Sequence, residues 1–244
     1  MKSQVVLKIK SNIKLAKNIF LMKIFGYIEN LPVPGQFINI KIENFFLRRP
    51  FSICNFKEDT ISIIYKIVGK GTKSLSKMKP NKSLNVLYPL GNGFDLNDVE
   101  KRGKIILVGG GVGIPPLYFL AKELKKLKIN FEVVLGFTTY EESFFVKEFL
   151  DISKLHVASI DGKIGKKGLV TDILKEISHD YYFTCGPLAM LKAVHKIGKE
   201  GQLSLEERMG CGFGACMGCS LRTSTKVKRV CAEGPIFKSS EVVF

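Results

Sequence analysis

The chain has no hydrophobic run long enough to span a bilayer. Its longest uncharged stretch, Ile105 to Ala121, is interrupted by four glycines and by Pro115-Pro116, whereas a membrane helix needs about 20 predominantly apolar residues. The opening segment MKSQVVLKIK alternates like a strand and carries no apolar core of a secretion signal. Neither a membrane segment nor export is therefore expected. Cysteine is scarce: six in 244 residues, four of them near the C-terminus. That is too few and too clustered for a disulfide scaffold, and a reducing, cytoplasmic compartment is expected. Acidic residues are also short, 22 against 38 Lys and Arg, for a net charge of +16. The cations are spread along the chain with no long basic run and no nucleic-acid motif. No nucleic acid is expected as a partner, and the charge reads as a solvated surface suited to an acidic protein. There is no internal repeat.

What remains is a globular composition, 25% charged and 45% hydrophobic, with length for two ordinary domains and a small appendage. Residues 1–100 read as all-β. The runs VVLKIK, NIFLMKI, GQFINIKI, FSICNF, TISIIYKIV and SLNVLYPLG are separated by turn-formers such as Asn30, Pro32, Pro34 and Gly35. A closed or nearly closed antiparallel barrel buries such strands. GNGFDLNDVEKRG reads as a linker. Over residues 101–203 strands alternate with helices: KIILVGG, FEVVLGF, KLHVASID and YYFTCG against PPLYFLAKELKKLK, ESFFVKEFL, LVTDILKEI and PLAMLKAVHKIGKE. That pattern predicts a parallel sheet with crossover helices. Residues 204–244 follow neither pattern and form a third, cysteine-bearing region. The expected fold class is thus β plus α/β with a C-terminal cluster-binding loop.

Cys211, Cys216, Cys219 and Cys231 follow C-x4-C-x2-C with a fourth cysteine eleven residues after the third. This is the plant-type spacing for a 2Fe-2S cluster. Gly210, Gly212, Gly214 and Gly218 interleave the ligands, and a loop wrapping a cluster needs the positive φ and close approach that glycine permits. A zinc knot and a disulfide pair are the alternatives. Zinc sites favour two CxxC-like pairs, and only Cys216 and Cys219 form one.

The second signal is Ile105-Ile106-Leu107-Val108-Gly109-Gly110-Gly111-Val112-Gly113-Ile114-Pro115-Pro116, a buried strand entering a glycine turn that opens a helix. Backbone N–H groups and the helix dipole suit a pyrophosphate there. GxGxxG is not satisfied, since Pro116 stands at the third glycine's place, and plain strand–helix packing is the other reading. Cys185-Gly186-Pro187 lies between a strand and a helix, at the carboxyl end where parallel sheets bind ligands. Cys185 is placed to contact a nicotinamide, or else is a small buried residue. In the barrel, Arg48-Arg49-Pro50-Phe51-Ser52 offers a bidentate anion clamp, a flat ring and a small donor. Ile64-Tyr65-Lys66 and then Gly71-Thr72 can complete a phosphate cradle. A nicotinamide moves electrons in pairs and a 2Fe-2S cluster moves them singly, so a flavin converter is expected in the barrel at Arg49–Ser52.

Taken together, RRPFSI, IYKIVGKGT, ILVGGGVGIPPL, FTCGP and ERMGCGFGACMGC resemble the ferredoxin-NADP reductase superfamily. The narrower resemblance is to the electron-transfer subunits of NAD-dependent bacterial dihydroorotate dehydrogenases, over essentially the whole chain. The resemblance implies FAD along Arg49, Pro50, Phe51 and Ser52, with Arg49 on the phosphates and Ser52 near the reactive N5. It implies that Ile64, Tyr65, Lys66, Gly71 and Thr72 hold FAD phosphates and sugars. Gly110, Gly111 and Gly113 would receive the NAD pyrophosphate, with Cys185, Gly186 and Pro187 near the nicotinamide; Ser52 and Cys185 are the catalytic candidates. The four cysteines would bind the cluster. An FMN-containing catalytic subunit is the implied partner, in a heterotetramer of two such pairs. Phe51 stands where superfamily members often have Tyr and many close relatives an aliphatic residue. Cys54, His156, His179 and His195 match no family role and are expected as core or surface residues. Thr138-Thr139-Tyr140-Glu141-Glu142 is acidic where a 2′-phosphate would want arginines, which supports NAD over NADP. Two other readings stand beside this one. The first is the small subunit of an NADH-dependent ferredoxin:NADP or hydrogenase-type complex, in which the first cluster cysteine is often aspartate. The second is a zinc-stabilised interaction protein.

Overall fold

The computed structural model describes residues 3–244. Six strands close into an antiparallel barrel: β1 (Ser3–Ala16), β2 (Ile19–Phe25), β3 (Phe37–Ile40), β4 (Arg49–Lys57), β5 (Thr60–Lys66) and β6 (Ser83–Leu90). Their spatial order is β1-β2-β5-β4-β3-β6, and β6 returns to β1. Alternation decides which face is inside. Leu7, Ile9, Met22, Ile24, Ile61, Ile63, Val86 and Tyr88 fill the core, while Lys8, Lys10 and Lys23 stand outside. A short helix α1 (Lys70–Leu75) lies between β5 and β6 and buries Leu75 in the same core.

The second body contains β7 (Ile105–Gly110), α2 (Ile114–Lys126), β8 (Phe131–Phe137), α3 (Val146–Leu150), β9 (Lys154–Ser159), β10 (Lys166–Lys167), α4 (Val170–Leu174), β11 (Tyr181–Cys185), α5 (Leu188–His195) and β12 (Glu200–Ser204). The chain then leaves the sheet for the cysteine loop and the hairpin β13 (Ser220–Arg222) and β14 (Val227–Arg229). It returns as β15 (Ile236–Lys238), so the seven-stranded order is β10-β9-β8-β7-β11-β12-β15. All neighbours are parallel except β15, which pairs antiparallel with β12. The barrel and the parallel sheet agree with the sequence pattern. Among the described residues no helix is long and apolar enough to cross a membrane.

The two bodies share a wall. Helix α2 starts with Pro115 and Pro116 in its first turn, where missing N–H groups cost nothing. It places Phe119 in the barrel core, and Cys54 of β4 packs in return among the residues of the sheet core. Lys122 Nζ donates to Asn55 Oδ1 at 2.7 Å across the same contact. Burial pushes the Cys54 thiol far up, so it serves as packing.

Several segments differ from the sequence pattern: LVTDILKEI keeps only Val170–Leu174 as helix, and the C-terminal region returns β15 to the sheet. The helix expected over ESFFVKEFL shrinks to Val146–Leu150, because Phe144 and Phe145 are drawn onto Phe137 and Tyr118, with ring centroids 6.0 and 4.7 Å apart. The helix after Pro187 stops at His195, Gly198 turns with φ 78, and Glu200 opens a strand. The linker is also held firmly: the buried Gln202 amide brackets Asp95. Its Oε1 accepts from Asp95 N at 2.8 Å, and its Nε2 donates to Asp95 O at 2.7 Å and to Tyr181 Oη at 3.0 Å. Gln202→Leu removes all three bonds, leaves the buried Tyr181 hydroxyl without this partner and is expected to cost about 1–3 kcal/mol, read as a lower urea midpoint with an unchanged slope.

Candidate functional site

A cavity of about 370 Å³ opens where the barrel meets the sheet. From the barrel it is lined by Phe37, Arg49, Pro50, Phe51, Ser52, Ile64, Tyr65, Lys66 and Thr72, and from the other body by Val112, Ser204 to Glu207, Met209 and Pro235. Adjacent strands β4 and β5, with Thr72 of α1, therefore bring together every flavin-contact residue expected from sequence except Gly71. Gly71 lies behind the cavity wall, where a methyl group would stand 3.2 Å from Arg49 Nε. The walls are mostly apolar, with Arg49 and Lys66 on the barrel side and Glu206 and Glu207 on the other, which suits a planar heterocycle with its anionic tail toward the barrel. Arg49 Nη1 donates to Leu47 O at 2.7 Å and the guanidinium lies over the Phe45 ring at 5.4 Å, so the side chain is held in place. Thr72 Oγ1 accepts from Val68 N and Gly69 N at 3.0 and 3.2 Å, which fixes the turn between β5 and α1. Tyr65 Oη donates to Asn12 Oδ1 at 2.9 Å. Lys66 Nζ pairs with Glu142 of the second body at 2.6 Å.

The glycine turn and the Cys185 turn meet backbone to backbone. A methyl group on Gly113 would lie 2.4 Å from both Cys185 O and Gly186 N, so no other residue fits there. Gly110 packs against the side chains of Pro187 and Met190, while Gly111 faces open space. Cys185 is buried, and burial, aided by the charge of Glu206, pushes its thiol up to about 12. It is thus a neutral neighbour to a ligand and no thiolate nucleophile. Glu206 itself stands at the open side of the cavity, and desolvation by the walls raises its carboxyl. The stretch Ser204 to Glu207 and Met209 was not anticipated from sequence. Its one local cue is its place directly before the cysteine motif.

The wall formed by Met209 runs straight into the cysteine loop. Cys219 and Cys231 are buried with sulfurs 3.2 Å apart, while Cys211 is half-buried and Cys216 exposed. Ala215 N and Cys216 N donate to Cys211 Sγ at 3.3 and 3.4 Å, and Cys211 N donates to Cys216 Sγ at 3.4 Å. Burial opposes ionisation of Cys211, but the N–H groups around it win and bring it down to about 6. Burial and the neighbouring Cys219 push Cys231 up to about 12. Among the described residues no three His, Cys, Asp or Glu side chains converge on one point. The thiols come instead as two pairs, and two thiolates per iron is what a 2Fe-2S cluster takes from four cysteines. Gly212 (φ 79) presses on the barrel, where a methyl group would lie 2.3 Å from Asn39 Nδ2.

Cys54 and the histidines lie apart from this site. His179 Nδ1 is bonded to Ile177 O, His156 Nε2 to Glu132, and His195 stacks edge-on against Phe244.

The barrel, the parallel sheet and their shared wall are the fold of the ferredoxin-NADP+ reductases. The enzyme of that name from Plasmodium falciparum superposes with a TM-score of 0.66 at 15% identity, over 80% of this chain and 90% of that one. The cysteine loop adds an iron–sulfur element to that class. A solved structure of an NADH-dependent reduced ferredoxin-NADP oxidoreductase, described for flavin-based electron bifurcation, is similar over 99% of this chain and 91% of its own, with a TM-score of 0.89 and 32% identity. Residues 206–243 match the family profile of the iron–sulfur cluster binding domain of dihydroorotate dehydrogenase B. The dihydroorotate dehydrogenase B (NAD(+)) electron transfer subunit of Fusobacterium nucleatum is 41% identical over 96% of both chains, and that of a Geobacillus strain 44% over 94% of both. The chain belongs to this family of electron-transfer subunits.

The loop is braced by Arg229, which donates to Gly214 O and pairs with Glu233. Hydrogen bonding from Arg229 holds the Glu233 carboxyl down at about 2. A depressed carboxyl stabilises above its unfolded value of 4.5 and loses that contribution as pH falls toward 2. Glu233→Gln is therefore expected to lower the urea midpoint of the cluster-free protein at about pH 7, and to narrow its difference from the midpoint at about pH 3.

Proposed function

We propose that this chain takes electrons from a dihydroorotate-oxidising catalytic subunit and delivers them to NAD+, through a 2Fe-2S cluster and FAD, in pyrimidine biosynthesis. The observation that carries this is the continuous wall from the flavin cavity through Glu207 and Met209 to Cys211. When bound, the cluster supplies single-electron transfer, FAD converts between single electrons and pairs, and NAD takes the pair as hydride.

The residues divide this work. Arg49 and Lys66 neutralise the FAD diphosphate, Pro50, Phe51, Ile64 and Tyr65 line the ring and its sugars, and Gly71 and Thr72 close the turn beside the phosphates. Ser52 offers a hydroxyl to the reactive edge of the ring. Gly110, Gly111 and Gly113 leave room for the NAD pyrophosphate, and Cys185, Gly186 and Pro187 border the nicotinamide. The Cys185 thiol is neutral and places no charge on the hydride path. Cys211, Cys216, Cys219 and Cys231 would hold the cluster, which would supply single-electron transfer. The domain limits follow as 1–100 for FAD, 101–203 for NAD and 204–244 for the cluster. The catalytic partner holds FMN, and the working assembly is a cytoplasmic heterotetramer of two such pairs. The cluster lies on the face toward that partner, since Cys216 is exposed.

The reading is tested by reconstituting the subunit anaerobically and mixing it with an FMN-containing dihydroorotate dehydrogenase. Dihydroorotate-dependent NAD reduction is expected, and it should vanish in Cys219→Ser. Activity with a ferredoxin- or hydrogenase-type partner instead would favour the relation at 32% identity. A colourless protein holding one zinc per chain would sink both redox readings.

A further inference from the structure

Strand β3 has two faces with different tasks. Ile38 and Ile40 fill the barrel core, while Phe37 and Asn39 point the other way. That outer face is not solvated. Phe37 belongs to the core that also holds Leu205, Cys219 and Cys231, and Leu87 of β6, opposite Asn39 in register, packs on the same core. In β4 the residue opposite Asn39 is Pro50, which lines the flavin cavity. Asn39 therefore lies between a flavin-binding strand and the cysteine loop, and it is only 1% exposed.

Its amide is a polar group set among apolar ones. Nδ2 donates to Cys211 O at 3.4 Å, 172 residues away in the chain, while Oδ1 is buried with no partner. Turning the amide over would set Oδ1 against Cys211 O, acceptor against acceptor, so the donating orientation is fixed. An orphaned acceptor costs stability, and a residue present for packing alone would not carry one. The bond is long, and shape completes it. Gly212, at φ 79, lies so close that a methyl group on it would stand 2.3 Å from Asn39 Nδ2. The Cys211–Gly212 peptide is thus seated on the barrel by one donor and one glycine. Just beyond it, Ala215 N and Cys216 N donate to Cys211 Sγ at 3.3 and 3.4 Å. N–H dipoles aimed at a ligand sulfur stabilise the negative charge that a cluster gains on reduction. Their aim depends on where Cys211 is held.

We propose that Asn39 is a positioning residue for electron transfer: by seating the Cys211–Gly212 peptide on β3, it holds up the reduction potential of the cluster relative to the flavin. This role rests on the cluster reading above, and it falls to a barrel residue that ligates nothing. Without the amide donor the Cys211 carbonyl keeps its partial negative charge uncompensated, and the loop loses its seat. Both effects disfavour the reduced cluster.

Redox titration of the FAD- and cluster-loaded subunit, followed by EPR, reads the cluster potential without turnover. Asn39→Leu keeps the volume and removes the donor. It should shift the reduced-to-oxidised ratio of the cluster at a fixed potential toward the oxidised form by about tenfold, which is about 59 mV for one electron. Asn39→Ser, whose hydroxyl is too short to reach Cys211 O, should shift it the same way, and it carries the test where the leucine variant does not load. Leu87→Ala loses packing on the same face and should lower the urea midpoint while leaving that ratio within about twofold of wild type. Ratios within about twofold of wild type in the Asn39 variants overturn the proposal, as does an equal shift in Leu87→Ala. Absence of a reduced 2Fe-2S signal in the loaded wild type overturns the cluster reading itself, and this assignment with it.

Discussion

The pairing of β15 with β12 is the contact on which the functional geometry depends. Gln202, Leu203 and Ser204 face Lys238, Phe237 and Ile236 in register, so the segment 205–235 leaves and re-enters the sheet at adjacent strands. Two further bonds fasten the same place. Leu205 N donates to Pro235 O at 2.9 Å, and Asn92 N, at the foot of the barrel, donates to Gly234 O at 2.6 Å. Barrel, sheet and cysteine loop thus meet within a few residues, and the flavin cavity lies at that junction. A cluster loop merely appended to the C-terminus would have no defined distance to the cavity.

The chemistry is graded across this junction. Toward the sheet burial keeps the Cys185 thiol neutral, and desolvation raises the Glu206 carboxyl. At the outer edge Cys211 ionises readily under its ring of N–H donors while Cys231 resists. Cys211 is therefore prepared as a ligand, and Cys231 would give up its proton on binding metal.

Much of this was legible in the sequence because the signals are local. The alternation of Leu7, Ile9, Met22 and Ile24 announces a barrel, the apolar run from Ile105 a buried strand, and the C-x4-C-x2-C spacing a cluster. What was hidden depends on partners distant in sequence. β12 and β15 are five and three residues long, too short for a period, and each becomes a strand only against its neighbour. Glu206 and Met209 carry no cue that they wall a cavity, since that follows from where β12 ends beside β11. Glu142 looked like part of a nucleotide loop, yet a lysine 76 residues away turns it to the barrel.

Because the chain departs and returns on neighbouring strands, the two ends of segment 205–235 stand about one strand spacing apart, roughly 4.8 Å. Such closely set ends make the segment a cassette: its length and content can change with little disturbance to the sheet that carries it. The reductase body could in principle exchange one electron-carrying insert for another at this point. Only the few residues that line the cavity would have to stay as they are.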